Sequence, residues 1–188
     1  MPIEIEKKYR LTKRRRQTIE RRLREMGVEP LPIEFEENTL YRGGRVDAGN
    51  CTLRLRRVND SAILTFKRRF PSKSAIKHQQ EEETVVADAN ATHAILTSLG
   101  FFPGLVYEKR RVRWNVGKVK LVIDELPFGL FMEIEASEKE IKRVEKLIGA
   151  EDLPAVLETY PALTAKLGRN ERGIIEARFT KGYGKGTR

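Results

Sequence analysis

Cysteine and long apolar segments are nearly absent from the chain. Cys51 is the only cysteine in 188 residues, which excludes an internal disulfide, and without neighbouring cysteines or histidines it is a poor zinc ligand. No run approaches the roughly 18 apolar residues that a membrane-spanning helix needs. The first residues, MPIEIEKK, are acidic rather than basic and apolar, unlike a secretory signal. We therefore expect a cytoplasmic protein with no membrane partner.

Charge of both signs is abundant, and the chain is strongly basic overall. Its 37 Lys and Arg and 27 Asp and Glu give a net charge of +10 and an isoelectric point near 9.8. The excess lies in residues 12–27 and 166–188, each with seven basic and two acidic residues, whereas the middle is neutral but dense in charge. A basic excess suits a polyanionic partner. Nucleic acid is not expected as the main partner, because its binders concentrate one sign of charge on the contact surface.

Turn signals and hydrophobic periodicity predict a mainly β protein with flanking helices, of the α+β class. Helical spacing occurs in residues 12–27, 88–100, 137–149 and within 152–168. The rest contains about eight alternating segments typical of strands, two of which form a predicted hairpin through Asn59 and Asp60. Because no βαβ rhythm is present, the sheet should be mainly antiparallel. Residues 1–168 are predicted to form one domain and residues 169–188 a basic, mobile tail.

The predicted helices have recognisable starts and buried faces. Thr12 can cap the first helix, and Ser137 followed by Glu140 is a capping-box pattern at the start of the third. The apolar positions at helical spacing, which should face the core, are Ile95, Leu96 and Leu99 in the second helix and Ile141, Val144, Leu147 and Ile148 in the third.

Charged residues recur at every second position in nearly every predicted strand. The rows are Glu4, Glu6 and Lys8; Arg54 and Arg56; Lys67; Glu81 and Glu83; Lys109 and Arg111; Asp124; and Glu133 and Glu135. In one strand such alternation only indicates a solvated face, but its repetition indicates a shared charged surface. Like charges two positions apart lie about 6–7 Å from one another, and they repel unless counter-ions join them.

The chemistry of these rows suits a polyphosphate together with a hard cation. Paired carboxylates offer the oxygen ligands that Mg²⁺ and Mn²⁺ prefer. Lys and Arg bind phosphate oxygens, Arg often through two parallel hydrogen bonds. If the sheet closes into a barrel, the charged face can line its interior while the apolar face packs under the helices.

Six short motifs follow one another in order between residue 3 and about residue 150. They are E-x-E-x-K at Glu4, Glu6 and Lys8, then LRLR (53–56), LTFK (64–67), EEET (81–84), EKRR (108–111) and DELPFGLFMEIE (124–135). Their order and spacing resemble the CYTH family, the triphosphate tunnel metalloenzymes, which include class IV adenylyl cyclases, thiamine triphosphatases and inorganic triphosphatases. The resemblance implies a closed, eight-stranded antiparallel β-barrel tunnel that binds a triphosphate with Mg²⁺ or Mn²⁺.

The resemblance also implies a role for each charged position. Metal ligands would be Glu4, Glu6, Asp124, Glu133 and Glu135. The substrate phosphates would be held by Lys8, Arg54, Arg56, Lys67, Lys109 and Arg111, with Glu81 and Glu83 orienting these bases or assisting a metal. The catalytic residues would be Glu4, Glu6, Lys8 and Lys67.

Two positions depart from the family pattern. Gln79 stands where many relatives have Arg, so one phosphate contact would be missing or supplied by Lys77. Arg42 stands where an acidic residue is common. The two histidines, His78 in a polar region and His93 on a predicted helix, are not expected to be catalysts.

The preferred hypothesis is metal-dependent hydrolysis of inorganic triphosphate, thiamine triphosphate or a nucleoside triphosphate. An alternative is a class IV adenylyl cyclase, which converts ATP to cyclic AMP and pyrophosphate. A further alternative is a non-catalytic binder of RNA or polyphosphate that uses the basic segments, although such a binder gains nothing from acidic pairs beside its cations. A homodimer stays open.

Overall fold

The computed structural model describes residues 3–47, 51–70 and 77–180. The strands in these ranges are β1 Ile3–Leu11, β2 Glu34–Arg42, β3 Cys51–Val58, β4 Ser61–Arg69, β5 Lys77–Val86, β6 Phe102–Val116, β7 Val119–Leu126, β8 Gly129–Glu135, β9 Arg169–Glu171 and β10 Ile174–Ala177. The α-helices are α1 Lys13–Glu25, α2 Ala89–Ser98, α3 Glu138–Ile148 and α4 Tyr160–Leu167. The predicted mainly β composition with flanking helices is confirmed.

The strands form one curled, mainly antiparallel sheet. Eight of them lie in the order β2-β3-β4-β5-β1-β8-β7-β6, each antiparallel to its neighbours. The strands at the two ends of this order, β2 and β6, also pair with one another, from Glu34 opposite Arg111 to Arg42 opposite Phe102. The short strand β10 runs parallel to β6 and carries β9 at the outer edge.

The hairpin between β3 and β4 has the predicted two-residue turn. Val58 lies opposite Ser61, so Asn59 and Asp60 make the connection. Asn59 has a φ of 50°, and Asn tolerates this left-handed conformation better than most residues. The tight turn fixes the register that places Arg54 opposite Thr65.

Side-chain caps define the starts of the helices. The Thr12 hydroxyl accepts a hydrogen bond from the Arg15 amide at 3.1 Å, and the Ser137 hydroxyl accepts one from the Glu140 amide at 3.3 Å, which confirms both predicted caps. Each satisfies an amide that has no partner within its helix. None of the helices in the described ranges combines the length and apolar character needed to cross a membrane.

The main core lies between the outer face of the sheet and the pair of helices α1 and α3. Its fully or almost fully buried members include Tyr9, Ile19, Leu23, Trp114, Leu121, Ile134, Ile141, Val144 and Ile148. Burial of each large apolar side chain contributes about 1.5–3 kcal/mol. Because successive side chains of a strand point to opposite faces, an apolar outer face leaves the charged residues on the inner face.

The buried stripe of α3 differs from the predicted one at Leu147, which is 43% exposed. Glu145 is buried in its place. Its carboxylate accepts hydrogen bonds from the Tyr9 hydroxyl and the Lys7 ammonium, both at 2.6 Å. The acid can therefore occupy the core-facing stripe, because its charge is paired and hydrogen-bonded.

The predicted burial in α2 holds for Leu96 alone. Leu96 packs with Tyr41, Leu55 and Ala62 in a separate small core. Ile95 and Leu99 are 59% and 69% exposed, which makes the expectation wrong for both. They lie four residues apart on the same side of the helix, and this side points away from the sheet.

Part of the predicted tail belongs to the sheet. Beyond residue 168, β10 is added beside β6 and β9 pairs with β10. Arg178 then bridges Glu37 and Glu108. These two carboxylates lie directly opposite one another on β2 and β6, so a shared cation relieves their repulsion. A mobile segment therefore does not begin at residue 169, and residues 181–188 lie outside the described ranges.

Candidate active site

A cavity of about 630 Å³ lies against the inner face of the curled sheet. Its lining includes most of the charged residues singled out in the sequence: Glu6, Lys8, Arg54, Arg56, Lys67, Glu81, Glu83, Lys109, Arg111, Glu133 and Glu135. They come from six strands, because alternate residues of each strand face the same side. Glu4 of β1 lies opposite Gln79 of β5, and the side chains of both are outside the described part of the chain.

Lys8 is held at one wall of the cavity from three sides. Its ammonium lies 3.2 Å from a Glu133 carboxylate oxygen and donates a hydrogen bond of 3.2 Å to the Glu158 carbonyl. It also lies 3.8 Å from the centre of the Tyr160 ring, where an aromatic face attracts a cation. These contacts hold a nearly buried positive charge at the edge of the cavity.

Two cations of β6 that line the cavity, Lys109 and Arg111, contact a buried carboxylate, Asp124. Arg111 donates two hydrogen bonds to Asp124, at 2.7 and 2.6 Å, and a third to Glu133 at 3.0 Å. Burial alone would lower the pKa of Arg111, but the Asp124 carboxylate raises it well above its ordinary value. Arg111 therefore stays charged at every accessible pH.

Lys109 lies beside Arg111 and is almost completely buried. Its ammonium is 3.2 Å from Glu36 and 3.6 Å from Asp124. Burial lowers the pKa of Lys109 to about 8, and the neighbouring Arg111 also lowers it, whereas the two acids act in the opposite direction. The charge of this lysine is therefore sensitive to mildly alkaline pH.

The structure gives Asp124 a different environment from that of a predicted metal ligand. Asp124 is fully buried and is not part of the cavity lining. Both of its oxygens accept from Arg111, and one also accepts a 2.9 Å hydrogen bond from the Tyr160 hydroxyl. In this arrangement Asp124 holds other site residues and presents no oxygen to the cavity.

Acids are also paired with bases across β3, β4 and β5. Lys67 lies opposite Glu81, and their charged groups are 2.5 Å apart. Arg54 donates to the Thr65 hydroxyl at 3.1 Å, and this hydroxyl donates to Glu83 at 3.0 Å. The central acidic pair, Glu81 and Glu83, thus contacts or approaches basic side chains.

Two buried residues of the site were missed in the sequence. Tyr160 begins α4 and contacts Lys8 and Asp124, but nothing near it in the chain distinguishes it from a core tyrosine. Glu36 is fully buried on β2 and lies outside the six motifs. The alternation of Glu34 and Glu36 around Phe35 was the signal that could have revealed it.

Carboxylates suited to a divalent metal lie where β1 meets β8. Glu6 is directly opposite Glu135, a position that ordinarily separates the Cβ atoms by about 4.5–5.5 Å. Glu133 lies on the same face of β8, opposite Lys8. Within the described residues no three acidic, histidine or cysteine side chains form a complete metal cluster. Mg²⁺ commonly takes only one or two carboxylates and completes its shell with phosphate oxygens and water, so this pair fits such an ion.

Arg42 lines a second cavity of about 490 Å³ that shares Cys51, Thr52 and Pro161 with the main one. Its side chain passes over Gly104, where an added Cβ would lie 2.6 Å from the Arg42 Nε. Such a separation is a steric clash, so glycine permits the close approach. Arg42, the basic residue that departs from the pattern noted in the sequence, thus lies next to the candidate site.

Several solved structures have a similar fold. The PH1012 protein from Pyrococcus horikoshii OT3 has a TM-score of 0.72 and 23% identity, covering 84% of this chain and 96% of that chain. The PH1819 protein from the same organism has a TM-score of 0.69 and 25% identity, covering 87% and 98%. HpAC1 from Hippeastrum, a candidate adenylyl cyclase with a dominant triphosphatase activity, has a TM-score of 0.62 and 18% identity, covering 82% and 90%.

Comparison with curated proteins gives no match. A family model does match: the CYTH domain aligns with residues 2–155. The matched region contains all six sequence motifs and the strands β1 to β8. The chain therefore belongs to the CYTH family.

Proposed function

We propose that the protein hydrolyses a triphosphate in a reaction that depends on Mg²⁺ or Mn²⁺. The observation that carries this proposal is the composition of the cavity. Basic side chains from five strands line it, namely Lys8, Arg54, Arg56, Lys67, Lys109, Arg111, Arg113 and Lys120. Acids of β1 and β8 line the same cavity. A site for an anion alone would not gain from these acids, whereas a site for a metal-bound polyphosphate uses both groups.

The substrate is proposed to lie in a closed tunnel inside the eight strands. The pairing of β2 with β6 supports this shape, because it joins the two ends of the strand order. A tunnel suits a linear triphosphate, since cations on surrounding strands can reach its oxygens from several sides. Enclosure also removes water, which strengthens electrostatic interactions with the bound anion.

The basic residues of the cavity are proposed to bind and orient the phosphates. They would neutralise charge that develops on the transferred phosphoryl group and on the leaving pyrophosphate or organic diphosphate. Lys8 and Lys67, together with Glu4 and Glu6, are the residues that we expect at the reacting phosphoryl group. The acids that pair with Lys67 and approach Arg54 in the structure, Glu81 and Glu83, would keep these bases oriented before substrate arrives.

The divalent metal would be held by Glu6 and Glu135, with Glu4 and Glu133 as neighbouring donors. When bound, Mg²⁺ or Mn²⁺ supplies charge neutralisation of the phosphate oxygens and lowers the pKa of a coordinated water. The facing carboxylates of Glu6 and Glu135 repel one another unless cations offset their charges. Lys120 already lies 3.2 Å from Glu135, and a bound metal would add to this compensation. The chain's own contribution is to keep these oxygens on the wall next to Lys8.

HpAC1, whose fold is similar, combines a candidate cyclase assignment with a dominant triphosphatase activity. This combination supports hydrolysis as the first hypothesis and makes cyclisation of ATP the reaction to compare with it. Both reactions use a metal-bound triphosphate and differ in the phosphorus atom that is attacked. Product analysis therefore separates them directly.

The test is a product assay on the purified protein with Mg²⁺ or Mn²⁺. Inorganic triphosphate, thiamine triphosphate and ATP are offered separately to the wild type and to Glu6→Gln and Glu135→Gln. The control is Glu125→Gln, because Glu125 is half-buried on the outer face, away from the cavity lining, and pairs with Arg110. Release of phosphate that is lost in both site variants and kept in the control is the expected result. Cyclic AMP with pyrophosphate would identify a cyclase, and no turnover with either metal would overturn the enzymatic proposal.

A further inference from the structure

Glu36 lies beneath the cavity lining, at the centre of a group of cations. It is fully buried and is absent from the cavity wall. One carboxylate oxygen lies 3.2 Å from the Lys109 ammonium and 3.3 Å from Arg56 Nε. The other lies 3.7 Å from Arg111 Nε. A single carboxylate therefore lies against three of the bases that line the proposed phosphate site.

Charge contacts hold this carboxylate more than hydrogen bonds do. Its only hydrogen bond in the described part of the chain is a long one of 3.4 Å from the Asn38 amide, and the Oε1 atom has no hydrogen-bond partner. A buried carboxylate is costly unless cations compensate it. The contacts with the three cations therefore account for the buried position of the Glu36 carboxylate.

The arrangement of the cations also depends on this carboxylate. Arg56 and Lys109 come from β3 and β6, which lie on either side of β2, and both reach the same Glu36 oxygen. Two cations that converge on one oxygen are kept at a defined separation. In the free protein, without that oxygen, their mutual repulsion would favour rotamers that move the charged ends apart.

We propose that Glu36 is a positioning residue, which holds Arg56 and Lys109 at the spacing needed to bind neighbouring oxygens of the phosphate chain. It acts through these bases and does not touch the substrate. The inference rests on the proposed function, because it assumes that the cavity binds a triphosphate. It assigns to a residue outside the six sequence motifs a role in arranging the site before substrate arrives.

The experiment measures binding of inorganic triphosphate by calorimetry without added metal, together with turnover in the metal-containing assay. Glu36→Gln keeps the side-chain shape and removes its charge. We expect about tenfold weaker binding and a lower kcat, because the bases lose their fixed spacing. Glu36→Asp retains the charge and should recover much of the affinity. The control is Glu37→Gln, because the adjacent acid pairs with Arg57 and Arg178, and its affinity should match the wild type.

The direction of the change separates three explanations. If Glu36 merely reduced the positive charge of the cavity, Glu36→Gln would bind inorganic triphosphate more tightly. If Glu36 only stabilised the fold, the midpoint of thermal unfolding would fall while the Kd of the folded protein stayed constant. Either result would overturn the proposal, as would an affinity of Glu36→Asp no better than that of Glu36→Gln.

A second pair of variants keeps the test decisive if Glu36→Gln folds poorly. Lys109→Met removes one of the positioned bases, and the double variant Glu36→Gln/Lys109→Met removes both partners of the ion pair. If Glu36 acts through Lys109, the loss of affinity in the double variant should be smaller than the product of the single losses. Independent effects would contradict the proposal. Binding by a wild type that shows no turnover would sink the proposed hydrolysis while leaving the role of Glu36 testable.

Discussion

Charged side chains have different burial and partners on the inner and outer faces of the same sheet. On β2, Glu36 faces inward and is fully buried among three cations, whereas the next residue, Glu37, faces outward and shares the exposed Arg178 with Glu108. On β6, Lys109 is buried next to Glu36, whereas Arg110 lies at the surface, 4.2 Å from the centre of the Phe179 ring. Adjacent residues of similar chemistry therefore differ in burial and in the strength of their interactions.

The difference teaches that burial determines what a charge contributes. Exposed ion pairs contribute about 0–1 kcal/mol because water and salt screen them. Removing one member of a buried set costs about 3–5 kcal/mol, because its partners are left without compensation. The exposed outer charges are therefore expected to tolerate substitution, and the buried ones to respond as a connected group.

The largest expected effect comes from removing the carboxylate beneath the β6 cations. Asp124→Ala would leave Arg111, Lys109 and the Tyr160 hydroxyl without their shared partner, so the free energy of unfolding should fall by about 3–5 kcal/mol. Urea denaturation of the wild type and the variant measures this difference in the free energy of unfolding. The matched change Glu125→Ala, at the next residue on the outer face, should cost at most about 1 kcal/mol. Equal losses in the two variants would contradict the comparison.

The next effect concerns activity and compares two adjacent lysines. Lys8→Met removes an inner cation beside Glu133, and kcat/KM for the substrate found in the product assay should fall about 10²–10³-fold. Lys7→Met removes an outer cation that pairs with Glu145. It should lower stability and leave kcat/KM of the folded enzyme within about threefold of the wild type. A similar fall in kcat/KM for both variants would show that Lys8 is not placed at the reaction.

A third effect tests the environment of Lys109 through pH. In the folded state its pKa is lowered to about 8 from an ordinary 10.5, so between these values the unfolded chain binds more protons and stability must rise with pH. The free-energy cost of keeping the buried Lys109 charged is fully present below about pH 8 and is relieved towards pH 10.5. The free energy of unfolding of the wild type, minus that of Lys109→Met, should therefore rise by about 2–3 kcal/mol over this interval. A constant difference would rule out a depressed pKa.

The smallest effect is expected at the exposed bridge between β2 and β6. Arg178→Ala leaves Glu37 and Glu108 facing one another on the outer surface. The loss of stability should be about 0.5–1 kcal/mol at low salt and should shrink at about 1 M NaCl, because salt screens exposed charges. Denaturation at the two salt concentrations measures the change. A loss that is large and independent of salt would show that the bridge behaves like a buried pair.

Local features of the fold were predictable because each depends on residues close together in the chain. The caps at Thr12 and Ser137 and the turn at Asn59 need only a few neighbouring residues. The exposed positions Ile95 and Leu147 were predicted wrongly, because helical spacing identifies apolar residues but cannot show which of them the sheet covers. Burial of a short helix is decided by the element beneath it.

The candidate site was predictable as a set of charges but not as a set of partners. Period-two alternation and the family motifs identified the rows that line the cavity, including Lys8 and Arg54. They did not show that both oxygens of Asp124 accept hydrogen bonds from Arg111, or that Glu36 forms an ion pair with Lys109. Both assignments depend on the register between strands, and a shift by one residue would turn every side chain to the other face.

The sequence by itself determined the α+β class, the hairpin, the helix starts and a charged face shared by many strands. These follow from periodicity, turn chemistry and capping, which act over short distances along the chain. Only the tertiary structure decided which charges are buried, which acids hold which bases, and that β2 lies beside β6. The physical reason is that the energy of a charge depends on burial and on partners from distant strands, and these are set only when the whole sheet has curled.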